Sequence, residues 1–219
     1  MKARVFAGAL ALAWVGCADV KPISVPLVLD GKLDDAIWAQ ANWETGFQRF
    51  NNTKKKSRDP IAQTEFAILA DTEALYIGIK ARHAKMGEMK ALSLASAWYD
   101  ENVEFYLIPD GGAFEFYQFL IPFRVEKQAK FWSEGGKITP DPYGPVWESK
   151  AVETPEGWTA EARIPLSAFY MTRNDAWSGG WLFNLGRFCD AINERTSWRQ
   201  VFKGYREPAK FGKIAGFPM

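Results

Sequence analysis

Hydrophobic and polar positions alternate with a period of two along much of the chain, which is the pattern of half-buried β-strands. In the run Val103–Ile108, the apolar residues at odd positions share one face, while Glu104 and Tyr106 lie on the other. The same alternation recurs in Trp158–Ile164, where Glu161 falls on the polar face. Each of these strands is therefore predicted to turn one face to a core and to carry an acidic residue on the opposite face.

Seven runs rich in aromatic and β-branched residues predict strands, and turn residues separate them. They are Thr64–Leu69, Leu75–Ala81, Val103–Ile108, Phe114–Ile121, Trp147–Val152, Trp158–Ile164 and Trp181–Phe188. Helical spacing is found over residues 34–41, where Asp34 suits an N-cap. The pattern predicts an all-β fold, an antiparallel β-sandwich of the jelly-roll or immunoglobulin-like kind with one or two short helices.

The N-terminus has the pattern of an export signal, in which two basic residues precede the apolar run Val5–Val15. This run is shorter than the roughly 20 apolar residues that a spanning helix needs. Residues 1–16 are therefore predicted to be a signal peptide, residues 17–25 a tether and residues 26–219 a single domain. The domain is expected to be exported, either to the periplasm or to the cell exterior.

Gly16-Cys17 resembles the lipobox of bacterial lipoproteins, whose cysteine becomes the acylated first residue, although Trp14 stands where that pattern prefers leucine. Cys17 is therefore a candidate lipidation site, which would hold the protein at the outer membrane or cell surface. Ordinary cleavage and a disulfide with Cys189 are the alternatives. Cys189 lies in an apolar stretch and is predicted to be a buried, unreactive thiol.

Composition and motifs narrow the function classes. The chain has 219 residues with 27 Lys+Arg against 26 Asp+Glu, and this balance argues against a nucleic-acid-binding protein. Its sequence contains no GxSxG, HExxH, CxxC or phosphate-binding loop motif, and it has a single histidine. The domain is therefore predicted to be non-catalytic, with glycoside hydrolysis by paired carboxylates as the remaining enzymatic alternative.

Aromatic residues make up 15% of the chain and include 10 tryptophans. Trp98, Trp132 and Tyr205 stand beside polar residues in predicted loops or at strand ends. A sugar ring has an apolar face and a rim of hydroxyls, so its site needs flat aromatic surfaces and directed polar groups. The pattern favours a saccharide ligand. Four other tryptophans are predicted core residues: Trp38, Trp147, Trp158 and Trp181.

Several blocks, in order, resemble carbohydrate-binding module family 9 and its family 9-like relatives. The blocks are residues 26–38, 64–79, 98–107, 157–165, 183–184 and 206–212. The resemblance implies a β-sandwich and a non-catalytic domain that binds saccharides and supports extracellular polysaccharide breakdown. It implies no cofactor, although some relatives bind calcium.

The resemblance also implies which residues bind the sugar. Trp98 and Tyr205 match positions that would clamp a sugar ring, and Glu104 matches a strand glutamate whose carboxylate binds hydroxyls. Gln118 is a weaker polar match. No catalytic residue is implied.

One position departs from the family pattern. Well-known sugar binders of the family carry an arginine at the position of Leu120, and Arg187 is the candidate to replace its guanidinium. A surface scaffold with a decayed sugar site is therefore an alternative function.

A haem b electron-transfer domain of related fold is a second alternative function. Its candidate haem ligands are His83, Met86 and Met89, although a surface or loop role is the simpler interpretation of His83. The sequence does not predict the oligomeric state.

Overall fold

The structure is a computed structural model, and it describes residues 17–25, 27–50, 59–83, 100–109, 115–123, 127–133, 137–138, 143–170 and 180–218. The described residues form thirteen strands. They are β1 Cys17–Pro22, β2 Gln48–Arg49, β3 Thr64–Ala70, β4 Ala74–Arg82, β5 Asn102–Ile108, β6 Phe116–Pro122, β7 Gln128–Ser133, β8 Lys137–Ile138, β9 Glu148–Thr154, β10 Gly157–Pro165, β11 Leu182–Cys189, β12 Glu194–Ser197 and β13 Gly212–Ala215. Short 3-10 turns occur at Trp38–Gln40, Leu166–Ala168, Asp190–Ile192 and Pro208–Lys210.

The strands form two sheets that share β1. The front sheet has the order β8-β7-β6-β5-β11-β13-β1, with β12 on β11 and β2 on β12, and the back sheet has the order β1-β3-β4-β10-β9. Residues 17–19 of β1 pair with β13, and residues 20–22 pair with β3. All seven predicted strands are present, within two residues at each end. The predicted all-β sandwich is therefore confirmed, and the exception to its antiparallel pairing is β1, which runs parallel to both neighbours.

One core lies between the two sheets. The alternation of apolar and polar residues along the strands explains which side chains enter it. Phe105 of β5 stacks on Phe119 of β6, with ring centroids 5.3 Å apart, while Trp158 of β10 enters from the back sheet. The predicted core tryptophans are all buried: Trp38, Trp147, Trp158 and Trp181. Residues of opposite parity on β5 and β10 face outward, which places Glu104 and Glu161 on the outer faces of the two sheets.

Two predictions for the N-terminal region are wrong. Residues 17–25 are not a tether, because Cys17–Pro22 is a strand whose Ala18 and Val20 are buried. The helix predicted over residues 34–41 is reduced to one 3-10 turn, because the chain returns to an extended conformation at Ala41. No helix of the described residues is long and apolar enough to cross a bilayer.

Candidate functional site

A pocket of about 360 Å³ opens on the outer face of the front sheet. This volume lies in the range of roughly 300–1,000 Å³ that is usual for small-molecule sites. Its lining residues come from β5, β6 and β7, from β12, from Phe50 after β2, and from the segment before β13. They are Phe50, Glu104, Tyr106, Gln118, Lys130, Trp132, Arg195, Gly204, Tyr205 and Arg206.

Strand register assembles the floor of this pocket. Tyr106 of β5 lies opposite Gln118 of β6, which in turn lies opposite Lys130 of β7. Directly opposite residues in an antiparallel sheet project from the same face, so these three side chains are neighbours on the outer surface. Glu104, two residues before Tyr106, projects from the same face. Three adjacent strands therefore contribute polar groups to one small area.

Hydrogen bonds link four side chains of this floor, those of Trp132, Gln118, Glu104 and Tyr106. The Trp132 indole Nε1 donates to Gln118 Oε1 at 2.7 Å, and Gln118 Nε2 donates to Glu104 Oε2, also at 2.7 Å. The Tyr106 hydroxyl donates to the same Glu104 oxygen at 2.5 Å. Within the described residues, no hydrogen bond reaches Glu104 Oε1. One carboxylate oxygen is thus fixed by the protein, and the other is available to accept a hydrogen bond from a ligand.

The electrostatics of the floor reflect its burial. Burial raises the pKa of Glu104, while hydrogen bonds from Tyr106 and Gln118 and the positive charges of Arg206 and Arg195 oppose this rise. Burial and the neighbouring Glu104 also raise the pKa of Tyr106 well above its usual value. The Tyr106 phenol therefore stays protonated at neutral pH and remains a hydrogen-bond donor.

Tyr205 lies on the front sheet beside this floor. A Cβ atom added at Gly186 would be 2.5 Å from Tyr205 Cε1, so the ring occupies the space that a side chain at this position would fill. Gly186 lies directly opposite Glu104 in the β5–β11 pair. The Tyr205 hydroxyl donates to the backbone carbonyl of Arg187 at 2.7 Å, which fixes the ring over the glycine. Sequence reasoning missed Gly186, although a glycine inside a predicted strand is a signal of close approach.

Two arginines stand over aromatic rings at the pocket. The Arg206 guanidinium lies 4.3 Å from the centroid of the Trp132 ring, and Arg195 lies at the same distance from the Phe188 ring. Neither guanidinium forms an ion pair or a hydrogen bond with the residues that the structure describes. Sequence reasoning did not single out either side chain, because nothing in the local sequence shows that β12 and the segment after Tyr205 meet at one pocket.

The structure brings three of the predicted site residues together: Glu104, Gln118 and Tyr205 all line the pocket. Trp98, the other predicted aromatic plate, lies outside the described residues. Leu120, which replaces the family arginine, lies opposite Glu104 on β6 and is fully buried. A guanidinium at this pocket must therefore come from elsewhere in the chain.

Arg187 does not supply it, which corrects the prediction. Its position on β11 follows Gly186, and successive side chains alternate, so Arg187 points inward where Gly186 points outward. The guanidinium is 1% exposed, and its Nη2 is 2.7 Å from Glu101 Oε1. Its Nη1 also donates to the carbonyls of Gln63 and Arg82 at 3.1 Å. Arg187 therefore ties the two sheets together inside the sandwich.

The remaining candidate residues lie apart from the pocket. Cys17 is exposed at the first position of β1, and Cys189 is a buried free thiol whose pKa burial raises to about 12. His83 follows β4 in a loop, as expected, but is buried rather than at the surface. Met86 and Met89, the other candidate haem ligands, lie outside the described residues. The described part of the chain holds no group of three or more His, Cys, Asp or Glu side chains suited to a metal ion.

Sequence comparison identifies the family. The sequence model of the family described as carbohydrate family 9 binding domain-like matches residues 29–215. The chain belongs to this family. Domains of the family are non-catalytic carbohydrate-binding modules, in agreement with the prediction that the chain is not an enzyme, and they typically occur in extracellular or secreted proteins. No curated protein sequence matched the chain.

Solved structures share the fold. A family 9 carbohydrate-binding module from Caldicellulosiruptor kristjanssonii, solved with cellotriose, is 18% identical with a TM-score of 0.65, and the match covers 93% of this chain and 95% of that one. The same module solved with glucose gives the same identity and TM-score, over 93% and 96% of the two chains. A Bacteroides uniformis protein, proposed to bind carbohydrate, is 17% identical with a TM-score of 0.67, over 92% and 99%. At these identities the likeness concerns the fold.

Proposed function

We propose that the family 9-like domain binds a saccharide in the pocket on its front sheet. The observation that carries this proposal is the floor of the pocket, where Glu104 Oε2 is held by Tyr106 and Gln118 while Oε1 receives no hydrogen bond from the described residues. A buried carboxylate held in one orientation is suited to recognise a hydroxyl by direction. Family membership supports the same ligand class.

The aromatic side of the proposed site begins with Tyr205. Its ring is fixed over Gly186 and lines the pocket beside Glu104, so it is placed to contact the apolar face of a sugar ring whose hydroxyls reach the floor. The second plate of the proposed clamp is Trp98, on the strength of the sequence resemblance alone. Trp98→Ala should therefore weaken binding, and unchanged binding in this variant would limit the aromatic contact to Tyr205.

Arg206 is the proposed source of the guanidinium that other family members carry at the position of Leu120. Its stacking on Trp132 holds a positive charge at the pocket, 4.3 Å from the ring centroid. The site therefore retains an aromatic ring, a carboxylate and a guanidinium despite Leu120. This favours an intact sugar site over a scaffold with a decayed one.

The cellular setting is also a proposal. Residues 1–16 are proposed to direct export, and Cys17 to carry a lipid that holds the domain at the outer membrane or cell surface, where it supports polysaccharide breakdown. Because Cys17 is the first residue of β1, the lipid would be attached directly to the sheet without an intervening tether. Incorporation of labelled palmitate into the wild-type protein but not into Cys17→Ser tests the anchor. Equal labelling of both would overturn it.

Calorimetric titration against a panel of mono- and oligosaccharides tests the sugar site. The panel starts with glucose and cellotriose, because the structurally similar module was solved in complex with each of them. Glu104→Gln should weaken binding by about tenfold or more, since it removes a charged acceptor but keeps the shape of the side chain. Glu153→Gln is the matched control, because Glu153 is exposed on β9 of the other sheet. Equal affinities of Glu104→Gln and wild type would contradict the proposed site.

A further inference from the structure

The charges at the pocket are unbalanced. Among the described residues, the guanidiniums of Arg195 and Arg206 line it with one carboxylate, that of Glu104. The chain as a whole has 27 basic and 26 acidic residues, so this local excess of positive charge does not follow from the composition. An excess of one charge in a concave site attracts ligands of the opposite charge.

Four other arginines of the described residues have carboxylate partners, whereas Arg199, which lies over the Trp198 ring outside the pocket, forms no ion pair with the described residues. Arg187 pairs with Glu101 at 2.7 Å, and Arg82 pairs with Glu65 at 3.1 Å. In the described part of the chain, Arg195 and Arg206 form no such pair, even with Glu104 in the same pocket. Both guanidiniums are instead held by an aromatic ring, which leaves their N–H groups available.

We infer that the saccharide recognised at this pocket carries an anionic group, a carboxylate or a sulfate, which pairs with Arg206 and Arg195. The inference rests on the proposed function and concerns the substrate class of the same site. A planar guanidinium matches both anions by two parallel hydrogen bonds, and stacking on Trp132 fixes its orientation before the ligand arrives. Glu104 repels an anion, so the acidic group lies toward the arginines while the neutral hydroxyls face Glu104.

Matched ligand pairs test this inference on the purified protein. Calorimetry should give methyl β-glucuronide or glucose 6-sulfate an affinity about tenfold or more above that of methyl β-glucoside, and galacturonide should likewise exceed galactoside. The carboxylate and sulfate arms distinguish the two anions. Raising the salt concentration should weaken the acidic ligands selectively, because ionic screening acts on the charge pair.

Variants separate this inference from the proposed function. Arg206→Gln should remove the preference for the acidic ligand, lowering the ratio of acidic to neutral affinity by about tenfold, whereas Glu104→Gln should weaken the binding of both ligands. Lys213→Gln, an exposed charge change on β13 of the same sheet, is the control. The inference would be overturned if the neutral ligand bound as well as or better than the acidic one and Arg206→Gln left this ratio unchanged. Loss of binding in Glu104→Gln would then still support the sugar site. Binding that Glu104→Gln does not change would overturn both.

Discussion

The outer faces of the two sheets are built from the same parts. On the back sheet, Glu161 of β10 lies opposite Gly78 of β4, and the Trp38 ring lies on that glycine. On the front sheet, Glu104 of β5 lies opposite Gly186 of β11, with Tyr205 on that glycine. Each sheet thus carries a buried glutamate beside an aromatic ring that rests on a glycine.

The two glutamates differ in how their oxygens are used. Both oxygens of Glu161 accept hydrogen bonds from the protein: Oε1 from the Trp38 indole at 2.8 Å, and Oε2 from the backbone N–H groups of Asp30 and Gly31. In the described residues, only Oε2 of Glu104 is bound. Glu161 is therefore a fully satisfied structural group, while Glu104 retains an acceptor for a ligand.

The segments that cover the two faces explain the difference. Residues 27–43 pass over the back sheet, where Leu29, Leu33 and Trp43 pack around Trp38 and close the face. On the front sheet, Phe211 and Tyr205 cover one end of the outer face and leave the pocket open beside them. An equivalent arrangement of side chains therefore stabilises the fold on one sheet and forms a candidate binding site on the other, depending on what covers it.

The largest expected effect is on stability and belongs to the back sheet. Glu161→Ala leaves two buried donors and one partly buried donor without their acceptor, so the free energy of unfolding should fall by about 3–5 kcal/mol. Urea unfolding followed by circular dichroism measures it. Glu153→Ala, at an exposed site on β9, should change stability by less than about 0.5 kcal/mol. A cost below about 1 kcal/mol for Glu161→Ala would contradict the structural role of this residue.

Alanine at the two glycines should have opposite consequences. In Gly78→Ala the new Cβ would be 2.7 Å from Trp38 Cζ3, and the covered indole cannot move away, so stability should fall by about 1–3 kcal/mol without a change in binding. In Gly186→Ala the half-buried Tyr205 is displaced instead, which should weaken saccharide binding at a smaller cost in stability. Unfolding and calorimetry on both variants test the contrast. Loss of binding in Gly78→Ala alone would reverse the assignment of the two faces.

The Tyr205 ring should matter more than its hydroxyl. Tyr205→Ala removes the aromatic surface at the pocket, and saccharide affinity should fall by about tenfold. Tyr205→Phe keeps the ring over Gly186 and loses only the hydrogen bond to the Arg187 carbonyl, so affinity should stay within about threefold of wild type. Both are measured by calorimetry, and similar losses in the two variants would show that the ring does not contact the ligand.

The smallest effect is a pH dependence of stability at Glu104. Because burial raises the pKa of this carboxyl above the usual 4.5, the folded state holds its proton to higher pH than the unfolded state does. The stability that this proton contributes is present below pH 4.5 and is lost as the pH rises through the folded pKa. Urea unfolding at pH 4 and pH 7 should therefore show that Glu104→Gln gains stability relative to wild type at the higher pH. A relative loss would contradict the sign.

Much of the fold followed from the sequence because alternation reports which side of a strand is buried. The seven strands and the outward position of Glu104 were predicted in this way. Strand β1 was missed because its six residues include the charged Asp19 and Lys21 and end at Pro22. This composition resembles that of a linker. The helix over 34–41 was overpredicted because Trp38 is held by a long-range contact with Glu161 that spacing does not reveal.

The candidate site was predicted in part. Glu104, Gln118 and Tyr205 came from a family resemblance, and the structure brings them to one pocket. Arg206 and Arg195 were missed because their position depends on how distant segments pack. Arg187 was predicted to bind the ligand, but its neighbour Gly186 occupies the outward position on β11, so Arg187 points into the core. The strand register, and not the residue type, determines which side chain can reach the pocket.

The most direct test of the central claim compares the two faces in one titration. One tryptophan on each face donates an indole hydrogen bond: Trp132 donates to Gln118 on the front sheet, and Trp38 donates to Glu161 on the back sheet. Nitrogen-15 NMR spectra of the protein, with indole signals assigned by Trp132→Phe and Trp38→Phe, report both groups as a saccharide is added. Saturable binding should shift the Trp132 indole signal and leave that of Trp38 in place. Binding that shifts Trp38 alone, or a Trp132 signal unmoved at saturation, would contradict a saccharide site on the front sheet.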